Sequence, residues 1–133
     1  MKTQSAKAKG RRFQQWVRDQ LIEKLEVHPE DIESRSMGAG GEDLIMARAA
    51  REKFPYSIEC KNQESLNIWK AYEQATENSG DYEPVCFIKR NNQKPLVVVD
   101  AEYFVKLHIS SKSPAWVQPY TEYFAKLHDD KLD

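Results

Sequence analysis

The sequence predicts an α/β (α+β) domain with a central mixed β-sheet flanked by helices and elements in the order αββαββα. Three observations carry this expectation. Near the N-terminus apolar residues recur at steps of three and four, as on one face of a helix. Two later runs, residues 85–89 and 95–99, read as strands, the second rich in valine as a buried strand should be. Helical and extended patterns also alternate along 133 residues, the size of one compact domain.

The elements follow in order. Residues 1–9 read as a flexible basic leader. Phe13, Trp16, Val17, Leu21, Ile22 and Leu25 then place an amphipathic helix over residues 10–26. His28-Pro29 ends it, because a residue before proline is disfavoured in helical geometry, and residues 29–33 can add a helical turn. Three of the five glycines fall within residues 38–41, which marks a loop with unusual backbone angles or a close approach to a ligand. No Gly-Lys-Ser/Thr follows, so it is not a phosphate loop of the Walker type. Residues 43–46 read as a strand, residues 47–53 as a connection with a helical turn, and residues 56–61 as a second strand. A helix over residues 66–78 carries Ile68, Tyr72 and Ala75 on one side. After the third and fourth strands, Asp100 can cap a short helix over residues 101–107. Residues 110–114 resemble a hinge before a last helix over residues 119–128. The expected layout is thus a leader (1–9), a domain (10–109) and a C-terminal extension (110–133).

Composition narrows the class. The chain is 40% hydrophobic and 31% charged, ordinary for a soluble globular protein. No apolar run approaches the roughly 20 residues that span a bilayer. The basic start lacks the apolar core of a secretory signal, so a cytoplasmic location and no membrane partner are expected. Cys60 and Cys86 form no CxxC pair, and the histidines fall at no metal-ligand spacing. Both cysteines therefore read as small buried residues in a reducing compartment rather than a zinc site. The net charge is −1, yet the first 18 residues carry Lys2, Lys7, Lys9, Arg11, Arg12 and Arg18 and no acid. Such asymmetry suits a local phosphate-binding surface on an acidic body, the alternative being a solvated leader.

The strand over residues 56–61 carries the chemistry. Side chains alternate along a strand, so Ser57, Glu59 and Lys61 share one face and Ile58 and Cys60 the other. Ile58 and Cys60 suit an apolar core. Glu59 and Lys61 then emerge side by side where a charge is costly unless paired or metal-bound. Asp43, opening the preceding strand, can bring a second carboxylate to the same place. Two carboxylates and the Cys60 carbonyl make a hard oxygen site of the kind Mg²⁺ or Mn²⁺ selects. Lys61 beside it could orient or deprotonate a water, or stabilise charge on a phosphate. The bland alternatives are a surface ion pair for Glu59 and Lys61, and a turn residue after glycines for Asp43.

Gly41-Glu42-Asp43, followed by Glu59-Cys60-Lys61 at the end of a hydrophobic strand, resembles the core motif of PD-(D/E)XK nucleases. Lys9-Gly10 opening a helix, the Ser/Gly-rich loop and Ile58-Glu59-Cys60-Lys61 together look like archaeal-type Holliday junction resolvases. The likeness is closest to small phage-encoded members and spans residues 9–107. It implies a restriction-endonuclease-like core, and a glutamine on the helix after the second strand that faces the site, matched by Gln74. The resolvase pattern also has a glutamate on the first helix where this chain has Gln14. A neutral amide ligates a hard cation more weakly, so one principal ion between Asp43 and Glu59 is expected, with Gln14 near a metal-bound water.

Lys9, Arg11, Arg12, Arg35 and Ser36 are candidates for holding phosphates, and Lys89 and Arg90 could extend that surface. Trp16, Trp69 and Phe87 are expected in the core. The resemblance implies metal-dependent hydrolysis of phosphodiester bonds in branched or duplex DNA. A branched substrate cut twice implies a homodimer, and a phage-encoded member would work in the cytoplasm of its bacterial host. The alternatives are a phage nuclease acting on ends, nicks or flaps, a non-catalytic DNA-binding module, and an adaptor using its basic N-terminus.

Overall fold

A computed structural model describes residues 4–35 and 41–109. The hinge and last helix expected over residues 110–128 lie outside these. The protein is a mixed α+β fold with one two-stranded and one three-stranded sheet.

Helix α1 (Gln4–Leu25) buries Phe13, Val17 and Leu21 at four-residue steps. It starts six residues earlier than expected, so residues 4–9 are helical rather than a flexible leader. It also stops before His28-Pro29. Glu26 adopts left-handed backbone, φ 59°, and turns the chain so that Val27 is buried. Arg18, counted above among the phosphate-binding cations, instead donates to the carbonyls of Ile32 and Pro29 at 3.0 and 2.9 Å.

After a single 3₁₀ turn at Pro29–Asp31 the chain enters strand β1 (Ile32–Ser34), where a helical turn was expected. It pairs antiparallel with β2 (Leu44–Met46). Arg35 N–H to Asp43 O and Ala47 N–H to Asp31 O, both 2.8 Å, extend this ladder at its two ends. Ile32, Leu44 and Met46 point into the core at the two-residue period of a strand. Helix α2 (Arg48–Lys53) seats Ala50 against them.

Strand β3 (Tyr56–Asn62) pairs parallel with β4 (Glu83–Lys89), and β4 pairs antiparallel with β5 (Leu96–Val98). The parallel pair is joined through helix α3 (Ile68–Glu77), capped by Asn67, whose side chain accepts from Lys70 N–H at 3.1 Å. Ile58, Cys60 and Val85 pack with Phe13, Val17 and Leu21 of α1, whereas Cys86 and Ile88 pack with Ala71 and Ala75 of α3. The three-stranded sheet therefore has a helix on each face, and Ser57 to Cys60 are all buried.

The chain divides after Val99. The described part of the second unit is helix α4 (Ala101–Lys106), capped by Asp100, whose carboxylate accepts from Tyr103 N–H at 2.9 Å. Among the described residues no helix is long and apolar enough to cross a membrane.

Candidate active site

Strand alternation puts Ser57, Glu59 and Lys61 on the α3 face of β3, and a small set of backbone hydrogen bonds brings Asp43 to them. Asp43 N–H donates to Ile58 O at 2.9 Å, clamping the start of β2 to the free edge of β3. Its carboxylate accepts in return from Cys60 N–H at 2.7 Å. This reciprocal pair places the Asp43 carboxyl within hydrogen-bonding reach of Glu59. Lys61 Nζ lies 3.5 Å from Glu59 Oε1. Two acids distant in sequence thus meet beside an ammonium.

The electrostatics are strained. The Glu59 side chain is only 4% exposed. Burial, and then the negative charge of Asp43, push its pKa up to about 7, against the opposing pull of Lys61. Its Oε2 is buried with no hydrogen-bond partner. A carboxylate oxygen in that state is a vacant acceptor, and a cation is the ligand that would satisfy it and relieve the repulsion between the acids. Two carboxylates are chemically suited to a hard divalent ion, which Asp43 and Glu59 would hold as charged ligands. Among the described residues no group of three or more His, Cys, Asp or Glu side chains converges for a metal, so a third donor has to be an amide, a carbonyl or water.

These groups line a cleft of about 970 Å³ between α1, β3 and α3. Gln74 lines it too, from α3. Gln14 lines it from α1, is 1% exposed, and accepts through Oε1 from the Ser34 hydroxyl at 2.8 Å. Lys9 reaches the cleft and pairs with Glu64 at 2.8 Å. Glu64, which also accepts from Asn91 N–H at 2.7 Å, has its pKa lowered chiefly by the Lys9 hydrogen bond. The other phosphate candidates are placed differently. Arg12 lines a neighbouring cavity, and Arg11 lines neither. Arg35 lies over Gly41, its guanidinium 3.4 Å from where a Cβ would stand, and does not line the cleft. Gly41 has φ +89°, a backbone conformation that L side chains rarely adopt and that favours glycine, while the Arg35 contact is an ordinary one. Ser36 lies outside the described residues.

Among the polar cleft residues that the sequence reading did not put forward as site candidates are Glu64, Glu77 and Asn78. Glu77 and Asn78 stand three and four positions after Gln74, so helix periodicity from that glutamine would have found them. Glu42 is outside the cleft; it pairs with Arg51, whose guanidinium also donates to Tyr56 O at 3.3 Å and stacks 4.1 Å over the Tyr82 ring. Cys60 and Cys86 are free and buried as expected. Burial foremost raises both thiols, Cys86 to about 12, so they are held as inert thiols. Phe87 packs against the core, but Trp16 and Trp69, expected there, are 41% and 83% exposed.

No protein-family model matches the chain, and no curated protein or solved structure matches it.

Proposed function

We propose that the protein is a Mg²⁺- or Mn²⁺-dependent endonuclease hydrolysing phosphodiester bonds in DNA, and that the cleft is its active site. The observation that carries this reading is the meeting of Asp43 and Glu59 beside Lys61, with a buried Glu59 oxygen left without a partner. A divalent ion held there supplies Lewis acidity toward a phosphoryl oxygen and lowers the pKa of water. Asp43 and Glu59 would hold it, and the Cys60 N–H fixes the Asp43 carboxylate at 2.7 Å. Lys61 orients the attacking water and offsets negative charge as it grows on the phosphate. Gln14, held by Ser34, and Gln74 orient groups at the two sides of the cleft.

The proposal resembles the PD-(D/E)XK pattern noted in the sequence. If the substrate is a four-way junction, two symmetric cuts require a homodimer. The surroundings this reading implies are those of a cytoplasm, where buried thiols stay reduced. A second reading, a DNA-binding module without turnover, draws on one observation: the position that would hold a third carboxylate is an amide already engaged by Ser34.

The discriminating experiment incubates the protein with four-way junction, linear duplex and single-stranded DNA, each with Mg²⁺, Mn²⁺ or EDTA. Metal-dependent products that disappear in Lys61→Ala and Asp43→Asn are expected. Binding without products under every metal condition would replace the enzyme with the module.

A further inference from the structure

The cleft offers a polyanion little net attraction, because its four acids, Asp43, Glu59, Glu64 and Glu77, offset Lys7, Lys9 and Lys61. The attraction a nucleic acid needs lies next door. A second cavity of about 300 Å³ shares Lys9 and Asn62 with the cleft and adds Arg12, Trp16 and Lys89, with no acid in its lining. Lys9, Arg12, Phe13 and Trp16 follow one another at helical steps and so share one face of α1. Asn62 and Lys89 are register partners at the ends of β3 and β4. Gln63 N–H donates to Lys89 O at 3.0 Å and fixes that end of the wall. The Trp16 ring is backed by buried Phe13, centroids 6.0 Å apart and planes 18° from parallel, and remains 41% exposed. Arg12 has no ion-pair or hydrogen-bond partner among the described residues. Lys89 likewise has no ion pair among them, its ammonium donating only to the Arg90 carbonyl at 3.2 Å, whereas Lys9 is paired with Glu64. A supported aromatic face beside Arg12 and Lys89 is the chemistry that takes a base and its phosphate together.

We propose that this cavity binds the nucleotide adjoining the cleaved phosphate, its base laid against Trp16 and its phosphate held by Arg12 and Lys89. A base inside a duplex has both faces covered by its neighbours, so only an unpaired or end nucleotide can take this place. The substrate class is therefore DNA with an unstacked nucleotide at the cut, in a branch, tail or nick, rather than intact duplex. This rests on the nuclease reading of the cleft but is testable without cleavage.

Binding is measured by anisotropy in EDTA for two DNAs of equal phosphate count: a blunt duplex, and a duplex with a short unpaired tail containing 2-aminopurine. The tailed DNA is expected to bind about tenfold tighter, with 2-aminopurine quenched on binding. Trp16→Ala removes the preference and the quenching while blunt-duplex affinity stays; Trp16→Phe keeps most of both. Arg12→Gln weakens both DNAs and lowers the salt slope by about one. Equal affinity of wild type for the two DNAs, no binding of either, or an equal loss for both in Trp16→Ala overturns the subsite. Should Trp16→Ala not fold, Trp16→Phe and the wild-type quenching decide. Metal-dependent cleavage with no tail preference sinks the subsite alone, and tail preference without cleavage sinks the enzyme alone.

Discussion

Glu59→Gln is expected to make the metal-free protein more stable while abolishing the proposed nuclease activity. The wild-type carboxyl titrates near 7 in the fold against 4.5 for an ordinary glutamate, because burial and the adjacent Asp43 disfavour its charge. At about 1.4 kcal/mol per tenfold, that gap corresponds to about 3 kcal/mol. Its sign follows from proton binding. The folded chain holds this proton more tightly than the unfolded one, so the stabilisation is complete below pH 4.5 and is lost as the pH rises to about 7. At pH 8 the wild type carries the whole penalty. Glutamine has the shape of the protonated acid and carries none of it. In EDTA, urea unfolding followed by circular dichroism should give equal stabilities at pH 4 to 5 and a variant about 3 kcal/mol more stable at pH 8. Mn²⁺ should then raise the unfolding midpoint of the wild type and leave the variant unmoved. A difference between the two proteins that is the same at pH 5 and pH 8 would refute the reasoning, since a strained charge cannot act without titrating.

Other perturbations test separate parts of the structure. Glu64→Gln removes a carboxylate from the cleft rim and breaks the ion pair that holds Lys9, leaving its charge for a phosphate. DNA affinity should rise several-fold with a steeper salt dependence, and a weaker variant would contradict it. Arg51→Ala strands the partly buried Glu42 and removes the cation over the exposed Tyr82 ring, and should cost about 1–2 kcal/mol in chemical denaturation. Arg51→Lys should recover less than half of that, because an ammonium cannot pair and stack at once. Glu26→Gly relieves left-handed backbone at an exposed position and should stabilise by about 0.5–1 kcal/mol; a loss would show that φ 59° is not strained there.

What the chain revealed before folding, and what it withheld, separates by distance. The convergence of Glu59 and Lys61 was legible because it depends only on the two-residue period of one strand. Asp43 was legible as a candidate because its strand comes next to theirs in sequence. Strand β1 was not legible: three residues are too few to show a period, and the strand exists because Asp31 and Arg35 bond to Ala47 and Asp43 across a loop. Gln14 looks like a surface residue in a helix, and its bond to Ser34, twenty residues on, is a contact that helical spacing cannot foresee. Trp16 fits the apolar spacing of α1 but sits at the margin of the arc formed by Phe13, Val17 and Leu21, where a large ring is only half covered. Its assignment to the core failed because periodicity locates a face and not its edge. Trp69 has a different cause: it stands in the first turn of α3 on the side away from the sheet-facing Ala71 and Ala75, and so points outward.

The bond between Asp43 N–H and Ile58 O, answered by Cys60 N–H and the Asp43 side chain, is also where the small hairpin is stitched to the larger sheet. Assembly of the acid pair and closure of that seam are consequently one event. Any fluctuation that lifts the hairpin away dismantles the pair, and an ion lodged between the acids would act as a rivet through both sheets. Amide exchange at Asp43 and Cys60 should therefore slow together when Mn²⁺ is added, so that cation occupancy can be read from the protection of two backbone protons.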